Sequence, residues 1–313
     1  MVINSNKEID KLDKKALEVQ MLRKERSNLI RHPFLLELEK VYYQSLNCIN
    51  LAPKKAFSID IFPKSKEKPS KGIFKKCNWI CGSFLSQEEN DVNKNEFLKI
   101  IRKLLPLINR KKKIVFPNTF NCFCFPDQSF DYVESLATIP WTENLERSFI
   151  EIHRLLQHDG FFGFASFGPT SLKEFIYNLK ELDYNLSKQS FLPLIDLHDL
   201  GDVCGSVGFE SAVVSSEKVL FKYKKPESAL KELRRLSGNP LIDRSKIVSG
   251  KNWYKSILFA LDKCRDSSGL VTLEFEMIYG HAWKKQKTSE NPLTKKNSNE
   301  DFFIKEKKIK FFS

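Results

Sequence analysis

Between residues 50 and 90 the chain has no Gly-x-Gly, and only 12 of its 313 residues are glycine. Backbone approaches a phosphate or a ribose closely only where no Cβ intervenes, so a glycine-cradled loop is excluded there. No apolar run reaches the roughly 18 residues that a bilayer-crossing helix needs, so no membrane span is expected. The opening MVINSNKEIDK is polar, unlike a secretory signal. Cysteine is scattered and odd in number, at seven. The close pairs Cys122/Cys124 and Cys77/Cys81 have no second pair and no histidines at ligand spacing, so no metal is expected. Reduced thiols and a cytoplasmic location follow. Nothing repeats internally, and no nucleic-acid-binding motif accompanies the net charge of +13. Basic residues spread along the whole chain and gather only at 110–113 and in the tail. No nucleic-acid partner is expected, and the basic balance suits an acidic one.

What is present is an ordinary globular mixture, 41% hydrophobic and 29% charged, in a chain long enough to bury a sizeable core. Residues 1–50, with Leu35, Leu36, Leu38 and Val41 at helical spacing, read as a helical extension. Strand-like runs follow at 56–62, 78–85, 113–116, 129–135, 211–223 and within 270–283. Helical spacing appears at 97–108, where Pro106 bends or ends it, and at 144–156. Further helices are expected after Leu172, at 226–238 and around Trp253. Strands alternating with helices imply an α/β fold with a Rossmann-like, mostly parallel sheet over 51–284. The tract at about 222–265, ahead of the last strand, is expected to form a helical lid. The lysine- and asparagine-rich tail, 285–313, has the composition of a disordered segment.

One stretch has the grammar of a site. FGFASFGPTSLKEF (Phe162–Phe175) opens as a buried strand, stops at Gly168-Pro169, and continues into Ser171-Leu-Lys-Glu174 with capping-box spacing. Ligands of doubly wound sheets sit beyond such carboxyl ends, so Phe167–Thr170 is expected to form a lip there. Most strand-to-helix turns carry no chemistry, and a plain turn is the competing reading. Asp196, Asp199 and Asp202 recur every three residues; that spacing puts them on one helical face or at its cap rather than around a metal.

Ser129-Phe130-Asp131, Trp141, Gly160 and Phe167-Gly168-Pro169, followed by Ile195–Asp202 (IDLHDLGD) and Tyr279–Lys284 (YGHAWK), carry a family likeness. The chain resembles class I S-adenosylmethionine-dependent methyltransferases, in particular the malonyl-acyl-carrier-protein O-methyltransferases of biotin synthesis, over roughly residues 125–284. The resemblance implies S-adenosylmethionine as cofactor, an acyl carrier protein bearing the substrate, and a monomer. It puts Asp60, Thr119 and Ser135 at the cofactor. It puts Phe167, Gly168, Pro169, His198, Tyr279 and His281 around the substrate lip. No catalytic residue is implied, because a carboxylate acceptor is already anionic at neutral pH and needs no base. A packed or surface role is the plainer reading of His198 and His281, and a core role of Tyr279.

The upstream third departs from the family pattern. The family opens its first strand into an acidic, glycine-bearing loop; AFSIDIFPKSKE offers Asp60 and no glycine. Phe84 falls where an acid holds the ribose hydroxyls, and Thr119 where an acid lies beside the adenine. Leu136 and Pro140 likewise stand at positions the family tends to keep polar. Each lost acceptor costs about 1–3 kcal/mol, so weak cofactor binding is expected. Two functions remain open on the residues: a working or weakened O-methyltransferase, or a non-catalytic homologue kept as a scaffold or decaying.

Overall fold

The computed structural model describes residues 32–60, 72–83, 112–115, 125–142, 144–182, 194–236, 250–285 and 302–311, together with Asp13 and Ala16. Helices α1 (Pro33–Ser45), α2 (Leu145–Leu155), α3 (Lys173–Leu182), α4 (Leu197–Val207), α5 (Pro226–Leu236) and α6 (Lys251–Asp262) flank the sheet. Its strands are β1 (Lys55–Asp60), β2 (Asn78–Ser83), β3 (Lys112–Val115), β4 (Phe130–Leu136), β5 (Leu156–Phe167), β6 (Phe209–Tyr223), β7 (Val271–Lys284) and β8 (Phe302–Phe311). They lie in the order β3-β2-β1-β4-β5-β7-β6-β8. The pairs from β3 to β5 are parallel, and β7 runs antiparallel between β5 and β6. The α/β class with a mostly parallel sheet therefore holds.

Period-2 alternation divides the side chains between two faces. On one, Tyr132, Phe161, Ala165, Phe221, Phe275 and Met277 pack in a cluster that takes in the apolar sides of α1, α3, α5 and α6. On the other, Phe57, Val133, Phe162, Phe164, Val214 and Ile278 meet α2 and α4. The N-terminal helix belongs to the first core, with Phe34, Leu38, Val41 and Tyr42 buried. Each such side chain contributes about 1.5–3 kcal/mol.

Two features differ from what local sequence suggests. The tail, disordered by composition, contributes β8, paired parallel to β6 at the sheet edge; an exposed edge offers unpaired backbone groups that such a segment can take up. Strand β5 begins at Leu156, before the Asp159-Gly160 break. Its register to β4 shifts between Phe130 and Tyr132, and Asp159 takes up the bulge at φ 60°. The helix expected at 97–108 lies outside the described residues. Helices α5 and α6 occupy the tract expected to be a lid.

Candidate functional site at the carboxyl edge of the sheet

Strands β1, β2, β4 and β5 all end on one edge, at Asp60, Ser83, Leu136 and Phe167. The turn after β4 is tightly held. Ala137 sits at φ 56° with its N–H donating to the Ala165 carbonyl at 2.8 Å. Ser135 Oγ and Thr138 Oγ1 are buried and 2.5 Å apart. Thr142, at the end of the following 3-10 turn (Ile139–Trp141), buries its hydroxyl with no hydrogen-bond partner among the described residues. A left-handed non-glycine residue costs on the order of 1–3 kcal/mol. Leu172 at this edge is another, at φ 58°, but Gln128, Asp159 and Ser211 at the opposite edge share the trait. Strain alone does not mark the site.

The turn after β5 forms the lip, stitched to β7. Gly168 N donates to the Glu276 carbonyl at 2.9 Å, and Leu172 N to the Glu274 carbonyl at 2.7 Å. The Glu276 carboxylate, buried at 6% exposure, accepts from Thr170 N at 3.0 Å and Thr170 Oγ1 at 2.8 Å. A Cβ on Gly168 would collide with that carboxylate. Gly168 therefore gives room to the chain's own Glu276. The capping box does not form. Helix α3 starts at Lys173, and Ser171 Oγ instead accepts from Glu276 N at 3.1 Å and donates to its carbonyl at 3.3 Å.

The other expected site residues scatter along the sheet. Asp60 ends β1 at the carboxyl edge, Thr119 lies outside the described residues, and Pro169 is exposed in the lip. Tyr279 is buried opposite Ala165, two positions inside the edge. His281 is deeper still, opposite Gly163, with its ring stacked 5.3 Å from Phe161. Burial pushes its pKa down to about 4, so it is neutral near pH 7. His198 is exposed in the first turn of α4, on the face away from His281, its N–H donating to the capping Asp196 carboxylate at 2.9 Å. Asp196 is thus a helix cap, as its spacing implied. The lip and Ser135 share the edge; His281 does not reach it.

Sequence reasoning missed Glu276, Thr142 and the buried carboxylate Glu134. Tyr43 Oη donates to both Glu134 oxygens at 3.1 Å, and Tyr132 Oη donates at 3.0 Å. Tyr42 Oη lies 2.6 Å from Tyr132 Oη and fills the space left by Gly163. Burial and the Glu134 charge drive the Tyr42 pKa up, and burial drives up that of Tyr132. An acid inside the apolar run of β4 was the available signal.

Whether an adenosyl sulfonium fits can be asked of these residues. Its ribose needs acceptors, and its close contacts need backbone without Cβ. Among the described residues, the space beside Gly163, Gly280 and, in the turn after β5, Gly168 is filled by Tyr42, Phe164 and Glu276. None opens a cradle at the ends of β1 or β4, and Thr142 is the one orphaned hydroxyl at the β4 end. The described residues do not make up that cofactor's pocket.

Comparison with known proteins shows what the chain is similar to. A family model described as a methyltransferase domain matches residues 102–164. The chain is 29% identical over 166 residues to malonyl-[acyl-carrier protein] O-methyltransferase 1 of Coxiella burnetii, covering 53% of this chain and 57% of that protein. It is 31% identical over 157 residues to the malonyl-[acyl-carrier protein] O-methyltransferase of Gallionella capsiferriformans, covering 50% and 53%. A human protein named arginine-hydroxylase NDUFAF5, mitochondrial, is 24% identical over 173 residues, covering 54% and 50%. The chain spans about half the length of the curated relatives it matches. It is similar to class I methyltransferases, and within them to the malonyl-acyl-carrier-protein type.

Proposed function

We propose that the chain is an O-methyltransferase acting on the free carboxylate of a malonyl group carried as a thioester by an acyl carrier protein, a step in making biotin precursors. The observation that carries this reading is the identity of 29% and 31% to two proteins of that name. The methyl donor of the proposal is S-adenosylmethionine, which supplies an activated methyl on sulfur. Asp60, Thr119 and Ser135 are the residues proposed to border it, and Phe167–Thr170 the acceptor lip. The chain's own task is then to bind and align a carboxylate that is ionised at neutral pH, with no proton to remove. We place the protein in the cytoplasm as a monomer; among the described residues no helix is long and apolar enough to cross a membrane.

A second reading, a non-catalytic homologue, is favoured by the glycine-free end of β1 and by central glycines filled with the chain's own side chains. Two measurements separate the readings. Calorimetry with S-adenosylmethionine asks whether the donor binds, and mass spectrometry of malonyl-carrier incubated with donor and chain looks for the methyl ester. Growth without biotin of a strain lacking its own methyltransferase, supplied with this chain, supports the enzyme. Absent growth, with folded protein and no heat of binding, leaves the second reading.

A further inference from the structure

Helix α6 shows solvent a row of cations that the helix itself does not oppose. Lys251, Lys255, Phe259 and Lys263 recur every four residues, so they run along its outer side over about 18 Å. All four are exposed, Phe259 at 54%. The inner side, Ile257, Ala260 and Leu261, is buried. No acid stands three or four residues along the chain from Lys251 or Lys255. The helix's one acid, Asp262, is taken by Arg265 at 2.7 Å. Like charges four residues apart weaken a helix, so folding gains nothing from this row.

The neighbouring surface continues the pattern. On α5, Lys231 and Arg234 are exposed, and the Arg234 guanidinium carbon lies 5.6 and 5.5 Å from the ring centres of Trp253 and Tyr254. Lys263 Nζ is 5.2 Å from the centre of the Phe259 ring. Cations resting on ring faces keep their charge at the surface while their stems cover apolar area. Of the six large apolar side chains exposed among the described residues, Tyr177, Leu182, Tyr254 and Phe259 belong to α3 and α6. Those two helices touch, Asn178 Nδ2 donating to the Ala260 carbonyl at 3.5 Å. Besides Asp262, the exposed acids of the three helices are Glu227 on α5, and Glu174 and Glu181 beside Lys173 and Lys180 on α3. Because α3 leads out of the lip, this surface adjoins it.

We infer that the outer face of α6, with the adjoining end of α5, docks an acidic helix of the protein that carries the proposed thioester substrate. Carboxylates three or four residues apart on such a helix stand about 5–6 Å from one another, the spacing of the lysines they would meet. An apolar residue among them covers Phe259. The inference rests on the proposed substrate class and adds where its carrier sits. A bilayer surface asks for a broader apolar face than one phenyl and one phenol give. Nucleic-acid phosphates are the competing occupant, and the test separates them.

The test titrates holo-acyl carrier protein, bearing no acyl group, into the full chain by calorimetry at about 100 mM salt. No methyl donor is present, so the readout does not depend on the proposed reaction. Saturable binding is expected, weakened by about tenfold or more at about 500 mM salt. Lys251→Glu combined with Lys255→Glu is expected to weaken it by about tenfold or more, and Phe259→Ala by about threefold. Lys75→Glu combined with Lys76→Glu makes the same change of net charge at two exposed positions ahead of β2, away from the lip edge. That pair is expected to alter affinity by less than about twofold. No binding to the wild type, an equal loss in the Lys75 and Lys76 pair, or unchanged affinity in the folded α6 variants would each overturn the inference. So would an oligothymidine or phosphatidylglycerol vesicles bound more tightly than the carrier and released by the α6 lysine pair. If that pair does not fold, the Phe259→Ala result decides. Carrier bound through α6 with no ester formed loses the proposed reaction and keeps the docking face. Ester formed while the α6 variants bind the carrier normally loses the docking face alone.

Discussion

The β4–β7 half of the sheet and the β1 edge solve different problems. Around β5 and β7 the chain carries Phe167-Gly168-Pro169 and Tyr279-Gly-His-Ala-Trp283, and the space beside the glycines of these strands and the turn after β5 is taken by the chain's own side chains. Gly168 makes room for Glu276, Gly280 for Phe164 and Gly163 for Tyr42. The end of β1 has no glycine, and among the described residues nothing there opens a cradle for the proposed donor. Close packing inside one half can outlast the loss of a ligand from the other, because core contacts stabilise the fold whether or not chemistry follows. A well-packed core is therefore evidence of fold, and the β1 edge is where the proposed donor binding can be tested.

The largest expected effect lies on that edge. Calorimetry should find S-adenosylmethionine bound at least about a hundredfold more weakly than by a relative with an intact glycine loop and both acids, at about 1–3 kcal/mol for each lost acceptor. Introducing Phe84→Asp together with Thr119→Asp should recover about tenfold or more. Affinity like that of such a relative in the unmodified chain would dissolve the contrast between the halves.

Next comes the buried carboxylate of the other half. Glu134→Ala leaves the Tyr43 and Tyr132 hydroxyls without their acceptor and should cost about 2–4 kcal/mol, read as a lower denaturant midpoint. A midpoint within about 0.5 kcal/mol of wild type would mean that the phenols find other partners. At the lip, Gly168→Ala pushes against the end of a flexible glutamate rather than a rigid ring. About 1–2 kcal/mol is expected, with faster amide exchange at Thr170 and Leu172 as the local sign. Exchange there equal to wild type would show that the lip does not depend on Glu276.

A further effect is one of pH. The His281 pKa is lowered from 6.5 to about 4 by burial, so the unfolded ring takes up a proton before the folded one as acid is added. Its contribution to stability is complete above about pH 6.5 and is lost as the pH falls toward 4. It amounts to about 1–3 kcal/mol. His281→Gln should flatten stability against pH in that window. Burial lowers the His153 pKa as well, so part of the slope should persist. An unchanged profile would place His281 in water.

Alternation and helical spacing are properties of neighbours in the chain, and they were enough for the described strands of 51–284 to within a few residues, apart from the early start of β5 at Leu156. They also sufficed for the capping role of Asp196 and for the turn at Gly168-Pro169. Contacts between distant segments carry no such local mark. In VTLEFEMIYG, Thr272, Glu274 and Glu276 alternate as a polar face; only the lip folding over β7 buries Glu276 and takes Ser171 away from its helix. The resemblance put His281 with the lip through the end motif YGHAWK. The antiparallel course of β7 carries it away from the edge, since each step along a strand moves a side chain about 3.3 Å. The choice of β6 as partner for the tail was decided in the same way, by which backbone groups were left unpaired at the end of the sheet.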